Sequence, residues 1–452
     1  MRQRLLHNVQ SQNRMTDTMP LPYLPNTEAD RNAMLRDIGV DSIEELFRDI
    51  PEEFRSPRFN LPPALSELEL KKELGRLASS NADLDGYACF LGAGSYRHFI
   101  PGVVDHIIGR SEFYTAYTPY QAEVSQGTLQ SVYEYQSMIC ELTGMEVSNA
   151  GMYDGSTSAA EAAMMACAIT NRSKVAVLAS VNPAYREVLD TYCRGRSLPL
   201  ATVETDSSDL PADCACLIVQ QPNFFGHFEP LESCVQRAHD AGTLVIAIVD
   251  PISLGMYRPP GECGVDIVVG EGQPLGIPMS LGGPYLGLFA CRKDYIRRMP
   301  GRIIGKTVDV DGNPGYVMTL VTREQYIRRE RATSNICTSE SLMALAAAVY
   351  LAALGKTGLR RVAELCYHKA HYAAAAIERL KGYSLAFPQP FFKEFAIRCP
   401  VTPSRITEAL LEDKVVGGLD ISHMVDNSML LCVTEVNTKQ EIDRLVKKLG
   451  SF

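Results

Sequence analysis

Residues 244–250 read Leu244-Val245-Ile246-Ala247-Ile248-Val249-Asp250. An unbroken run of β-branched and small apolar residues is typical of a strand that is buried on both faces of a parallel sheet. An aspartate at the carboxyl end of such a strand lies where open α/β sheets bind their ligands. The stretch therefore predicts a parallel sheet covered on both faces and a carboxylate at its ligand-binding edge.

The flanking sequence continues this pattern as strands that alternate with helices, which favours a mostly parallel sheet with right-handed crossovers. The predicted strands are 175–178, 200–203, 216–219, 244–249, 267–269 and 285–290. After about residue 320 the order changes to helices near 338–354 and 358–381 and strands at 394–398 and 429–433. We therefore predict an α/β protein with three parts: an N-terminal helical arm (1–85), a large domain (86–320) and a smaller C-terminal α+β domain (321–452).

Composition and charge exclude several classes of function. A chain of 452 residues is longer than a domain with a single hydrophobic core usually is. The formal charge of -9 argues against nucleic acid as a partner. The stretch from Met1 to Met19 lacks the apolar segment of a signal peptide, and the longest apolar run, 342–354, is too short to cross a bilayer. The 13 cysteines are scattered, as reduced core thiols are. We predict a cytoplasmic protein with no membrane partner and no metal site.

The carboxylate at Asp250 suits the pyridine nitrogen of pyridoxal phosphate, although the plain alternative is a strand-ending Asp-Pro turn. Such a cofactor also needs a lysine amine with which its aldehyde forms an imine. No lysine occurs between Asp250 and Lys293, and Gln273 stands near the position where one is expected. An amide cannot form an imine, so the sequence predicts half of a cofactor site.

A Gly155-Ser156-Thr157 turn precedes the small-residue helix 159–168. Free N–H groups and hydroxyls at a helix start can bind a phosphate, which makes the turn a candidate cofactor cradle. The alternative is an ordinary helix cap, because serine and threonine are favoured there in any case.

Two loops carry candidate site residues. The first combines flexible backbone with an arginine and a histidine, either of which could meet a carboxylate. The second has a density of tyrosines and polar groups that suits a ligand or partner surface. In the second loop the alternative is that the tyrosines only cover the edge of the sheet. The pair His368 and His371 is interpreted as core or solvated histidine, without a third ligand. The loop candidates are Tyr96, Arg97 and His98 in the first loop, and Tyr117, Thr118, Tyr120, Gln121 and Gln126 in the second.

Several long blocks in the same order resemble one family, the glycine cleavage system P-protein, in the N-terminal subunit of its two-subunit bacterial form. The resemblance covers nearly the whole chain from about Tyr23. Its blocks are Tyr23-Leu24-Pro25-Asn26-Thr27-Glu28-Ala29-Asp30, Phe90-Leu91-Gly92-Ala93-Gly94-Ser95-Tyr96, 114–127, Val268-Val269-Gly270-Glu271-Gly272-Gln273 and Gly282-Gly283-Pro284-Tyr285-Leu286-Gly287.

The resemblance implies a pyridoxal-phosphate transferase architecture of fold type I. It also implies an enzyme that decarboxylates glycine and passes the remaining aminomethyl group to the lipoyl arm of the H-protein. The cofactor would be anchored on a homologous, lysine-bearing partner subunit in an α2β2 assembly. In this chain the cofactor-binding positions Asp250, Gly155, Ser156 and Thr157 would be vestigial. No residue of this chain by itself would be catalytic. The two loops would complete the partner's site or form the interface.

One other class of function is left open by the residues alone. The chain would be a self-sufficient pyridoxal-phosphate decarboxylase if Lys293 or Lys306 anchored the cofactor. Lys293 follows a strand of antiparallel character, so we expect its side chain to face solvent.

Overall fold

The predicted parallel sheet is present in the computed structural model, which describes residues 25–55, 60–206 and 210–452. The strands are β1 (Ala88–Cys89), β2 (Val147–Ser148), β3 (Lys174–Leu178), β4 (Leu200–Val203), β5 (Cys214–Gln221), β6 (Leu244–Val249), β7 (Ile267–Glu271), β8 (Gly287–Cys291), β9 (Ile303–Val308), β10 (Pro314–Thr319), β11 (Ser384–Leu385), β12 (Glu394–Arg398), β13 (Val415–Val416), β14 (Leu419–Asp420) and β15 (Ser428–Cys432). The central sheet has seven strands in the order β2-β8-β7-β6-β5-β3-β4. Strands β3 to β7 pair in parallel, whereas β8 is antiparallel to β7 and β2 is antiparallel to β8.

The chain divides into two compact units, Met1–Ala78 and Ser79–Phe452. The helices of the first are α1 (Glu28–Ile38) and α2 (Glu67–Ala78). Thr27 and Asp30 form a reciprocal capping box at the start of α1. The helices of the second are α3 (Gly102–Ile108), α4 (Ser111–Tyr114), α5 (Gln126–Thr143), α6 (Gly155–Thr170), α7 (Pro183–Gly195), α8 (Leu231–Asp240), α9 (Gln325–Arg328), α10 (Ser341–Ile377), α11 (Pro403–Glu412) and α12 (Lys439–Leu449).

Helix α6 packs directly on the central sheet, against β5 to β8. Its alanines at 159, 160, 162 and 163 are fully buried. Small side chains let the helix axis approach the strands closely, and this brings the N-terminus of α6 to the carboxyl ends of β6 and β7. The predicted phosphate cradle and the predicted carboxylate therefore lie at one edge of the sheet.

The two helices predicted between 338 and 381 are the two stretches of the long helix α10, which are separated by a kink within the predicted gap. Its single interruption is at Gly355, whose φ of 60° and ψ of -178° are not helical. By length and apolar composition α10 is the one described helix that could cross a membrane. Most of its buried residues up to Cys366, among them Ala344, Ala347 and Tyr350, belong to the same hydrophobic core as the central sheet, whereas Ala370 and Ile377 belong to the core of the smaller C-terminal sheet. The interpretation of this apolar run as a buried helix therefore agrees with its packing.

A smaller antiparallel sheet, in the order β11-β12-β15-β14, follows α10. The segment that enters β12 contacts the loop that follows β5, because the Phe392 N–H donates to the Gly226 carbonyl at 3.0 Å. The side chain of Lys393, the residue before β12, in turn reaches Asp250 at the carboxyl end of β6. The β9–β10 hairpin was not predicted, and its turn is closed by Asp309 Oδ1, which accepts from the N–H groups of Asp311 and Asn313.

Candidate functional site

A buried ion pair occupies the edge of the sheet where the ligand carboxylate was predicted. Asp250 directly follows β6, and its Oδ2 lies 2.7 Å from Nζ of Lys393, the residue before β12. The two side chains are 10% and 2% exposed. Burial is the largest single influence and lowers the pKa of the Lys393 ammonium, but the opposing influences, led by the Asp250 carboxylate, together raise that pKa. Asp250 is therefore already neutralised by a cation from its own chain.

Tyr96 and His98 enclose the same ammonium. Lys393 Nζ lies 3.5 Å from the centre of the Tyr96 ring and 3.1 Å from Nε2 of His98. Burial and the Lys393 charge lower the pKa of His98, so the ring is neutral and its Nδ1 donates to Glu435 at 2.7 Å. Burial raises the pKa of Glu435, but the hydrogen bonds from His98 and the Phe99 N–H lower it to about 2. The first predicted loop thus faces the interior of its own chain at Tyr96 and His98.

Cys366, His98 and Glu435 place three metal-ligand atoms within 4.8 Å of one another. The Cys366 thiol donates to Glu435 at 3.4 Å, and burial holds its pKa well above the usual range. A protonated thiol and a histidine that accepts from a lysine ammonium are poor ligands for a cation. The group is accordingly interpreted as part of the hydrogen-bond network around Lys393.

Gln273 lies beyond the end of β7 and is 2% exposed. Its Oε1 accepts from the Tyr96 N–H at 2.9 Å, and its Nε2 donates to the carbonyls of Tyr96 at 2.9 Å and Ile277 at 2.7 Å. The amide therefore uses both ends to hold the backbone of the first loop. It supplies no amine to the site.

The carboxylate of Glu271 lies at the N-terminus of α6, where the phosphate of a cofactor would bind. It accepts from the Gly155 N–H at 2.9 Å, and Asp154 caps the same helix by accepting from the N–H groups of Ser156 at 2.8 Å and Thr157 at 2.9 Å. A Cβ on Gly155 would lie 2.7 Å from the Glu271 nitrogen, so helix and strand are in direct contact. The turn thus forms a helix cap, with aspartate rather than serine or threonine as the capping residue.

These residues do not fit pyridoxal phosphate. Lys393 already pairs with Asp250, the carboxylate that would face the pyridine nitrogen. Glu271 already accepts from the Gly155 N–H that a phosphate would need, and Gln273 cannot form an imine. The cavity at Asp250 has a volume of about 30 Å³, which holds a water molecule or two, whereas ligand sites usually span about 300–1,000 Å³.

Two carboxyl groups at this site should make stability depend on pH. Burial raises the pKa of both Glu271 and Glu394 from 4.5 to about 7. Both groups therefore bind protons more tightly in the folded chain, and their stabilisation is present below pH 4.5 and lost as the pH rises towards 7. We expect the free energy of unfolding in urea to fall over this window, by on the order of 1–3 kcal/mol per group.

In Glu394→Gln the free energy of unfolding should decrease less steeply over this pH window, because glutamine does not titrate. The exposed Glu408, replaced by glutamine, is the matched control and should leave the slope unchanged. The opposite contribution of Glu435, which is lost as the pH falls from 4.5 to about 2, lies outside the window. An equal slope in the wild type and in Glu394→Gln would contradict the assignment.

The second predicted loop lies on the surface. Tyr117 and Tyr120 are 79% and 54% exposed, and Gln121 is exposed beside them. Thr118 is half-buried and accepts from Arg302 Nη1 at 3.3 Å. Gln126 is also half-buried.

The side chain of Gln126 ties the start of α5 to strand β10. It donates to the carbonyls of Ala122 and Tyr316 and accepts from the Tyr316 N–H. Arg97, in the first loop, is half-buried, and the two alternative anchor lysines, Lys293 and Lys306, are exposed. Neither lysine lines the cavity at Asp250.

The residues that fill the site, Lys393, Glu394, Glu271 and Glu435, were not predicted from the sequence. Lys393 and Glu394 stand in the run Phe391-Phe392-Lys393-Glu394-Phe395, where two charges interrupt aromatic residues. A charge inside an apolar strand requires a buried partner, and that was the available signal. Glu271 closes a strand in the same way, but Glu435 had no comparable signal.

The model of the family described as glycine cleavage system P-protein matches residues 22–449. A probable glycine dehydrogenase (decarboxylating) subunit 1 of Desulfitobacterium hafniense is 51% identical and covers 95% of this chain and 99% of its own. A crystal structure of glycine decarboxylase (P-protein) of the glycine cleavage system, in inhibitor-bound form, has a TM-score of 0.90 at 43% identity, covering 95% of this chain and 99% of that one. A Lactobacillus brevis glutamate decarboxylase has a TM-score of 0.64 at 13% identity, over 88% of this chain and 95% of that one, a likeness of fold alone. The chain therefore belongs to the glycine cleavage system P-protein family.

Proposed function

We propose that this chain is subunit 1 of a two-subunit glycine decarboxylase, and that it does not anchor the cofactor. The observation that carries the proposal is the pairing of Asp250 with Lys393, together with Gln273 in place of an anchoring lysine. The name of its relatives, subunit 1, implies a second subunit. That subunit, homologous to this one and bearing the lysine, would hold pyridoxal phosphate.

The assembled enzyme would release the carboxyl carbon of glycine as CO2 and pass the aminomethyl group to the lipoyl arm of the H-protein. Pyridoxal phosphate supplies the electron sink for that decarboxylation. An α2β2 assembly in the cytoplasm is the form that we propose. In this assembly the chain would contribute a binding surface and correctly placed side chains to the partner's site, rather than a reacting group.

The part of this chain that would complete the partner's site is the loop at 117–121. Arg302 contacts the loop at two residues. It donates a hydrogen bond to Thr118, and its guanidinium lies 5.8 Å from the centre of the Tyr120 ring. A supported loop presents its exposed side chains, Tyr117 and Gln121, with little loss of conformational entropy on binding. Rigid placement of these side chains is the contribution that we propose.

The test is exchange of carbon between glycine and bicarbonate, with lipoylated carrier and pyridoxal phosphate present. It is measured on this chain alone, on the second subunit alone, and on the two mixed. We expect exchange only in the mixture, because the first lacks an amine and the second lacks a completed site. Exchange by this chain alone, or undiminished exchange by the second subunit alone, would overturn the proposal.

A further inference from the structure

A cleft of about 500 Å³ on the second unit is lined by six arginines. None of the described residues that line it is acidic, although the chain as a whole has a formal charge of -9. Its other lining residues include methionines on α6 and the segment that leads to α10. We call it the arginine cleft, formed by Arg196, Arg297, Arg298, Arg323, Arg328 and Arg331.

The members of the arginine cleft are only partly satisfied within the chain. Arg323 donates to the carbonyls of Leu320, Met299 and Gly301, and Arg331 has Glu330 at 3.8 Å. The other four have no carboxylate within ion-pair distance among the described residues. Like charges gathered on one concave surface repel each other, so a site of this kind is suited to receiving anions from outside.

The arginine cleft is continuous with an exposed aromatic surface. Tyr326, on α9 between two cleft arginines, is 52% exposed, and its ring packs edge-on against Tyr120 at 6.1 Å. Tyr120 in turn lies 6.3 Å from Tyr117. We call Tyr117, Tyr120 and Tyr326 the tyrosine face. Tyrosine and arginine are the residues that protein interfaces favour, and contiguous exposed aromatic surface marks such sites.

We infer that the tyrosine face and the arginine cleft form one docking surface for the second subunit, and that the second subunit presents aspartate or glutamate side chains to the cleft. The inference rests on the proposed function, which supplies the second subunit and places the loop at 117–121 beside its active site. The continuity through the Tyr120–Tyr326 contact favours this occupant over the carrier protein. A permanent partner would bury both halves of the surface together.

The test is the dissociation constant for assembly of this chain with the second subunit, measured by sedimentation at low and at high salt. In Arg297→Glu/Arg298→Glu we expect the constant to rise by at least about tenfold at low salt, and the dependence on salt to weaken. Both arginines are exposed, so the variant should fold, and this is checked by its thermal unfolding. The exposed Arg405 on α11, replaced by glutamate, is the matched control and should assemble as the wild type does.

Three results would overturn the inference. The first is unchanged assembly of the double variant. The second is unchanged assembly with slower aminomethyl transfer, which would assign the cleft to the carrier. The third is tight binding of inorganic pyrophosphate, lost in the double variant while assembly persists, which would make it a small-anion site. If wild-type chains fail to assemble at all, the proposed function falls as well, and this result is distinct from the other three.

Discussion

Lys393→Met is expected to lower the free energy of unfolding of this chain by about 3–5 kcal/mol, because it leaves the Asp250 carboxylate buried without its cation. The side chain of Lys393 is 2% exposed, and its ammonium also contacts the Tyr96 ring and His98. Methionine preserves the length and most of the volume, so little of the loss should come from a cavity. The measurement is urea unfolding, followed by circular dichroism.

The double variant Lys393→Met/Asp250→Asn separates the lost charge from lost packing. Removing both charges should recover at least half of the loss, because a buried ion pair gains little over neutral groups of similar shape. Lys439→Met breaks the exposed pair with Asp443, whose ends lie 2.6 Å apart, and should cost far less. Additive losses in the Lys393 and Asp250 variants would contradict a direct pairing.

The central sheet was predictable because its strands are continuous apolar runs. Residues 200–203, 244–249 and 394–398 form strands with the bounds predicted, and 175–178, 216–219 and 267–269 were extended by one to four residues. The predicted strand at 285–290 lies at Gly287–Cys291, and the one at 429–433 at Ser428–Cys432. The β9–β10 hairpin escaped prediction because its strands are partly exposed and lack a continuous apolar run, so their pattern is weak.

Half of the candidate site could be predicted from the sequence. Asp250 and the Gly155 turn were found because local pattern places them at a strand end and a helix start. Lys393 and Glu271 were not identified as their partners, since nothing local indicates which distant side chain fills a site. The absence of a lysine near Gln273 and the loss of imine formation were predicted from the sequence. The filling of the site by Lys393 and Glu271 was not, because tertiary packing brings these side chains to it from distant parts of the chain.

Gln273→Lys should not restore a cofactor site, although it returns an amine to the expected position. Glu271 still fills the helix N-terminus, and Lys393 still pairs with Asp250. The variant also loses the hydrogen bonds that Gln273 makes to the backbone of Tyr96, with an expected destabilisation of about 1–3 kcal/mol for each buried polar group left without a partner. We expect added pyridoxal phosphate to give no imine absorbance with this variant.

The second subunit is the positive control for that absorbance, and Gln273→Met, which lacks an amine, is the matched control for the loss of stability. Both variants of Gln273 should unfold at lower urea concentration than the wild type, since each releases the backbone of Tyr96. An imine band in Gln273→Lys alone would mean that Glu271 and Lys393 yield readily to a cofactor. The site would then lack only its lysine. The absence of a band, with the fold intact, would place the obstacle in Lys393 and Glu271, two side chains that already line the cavity.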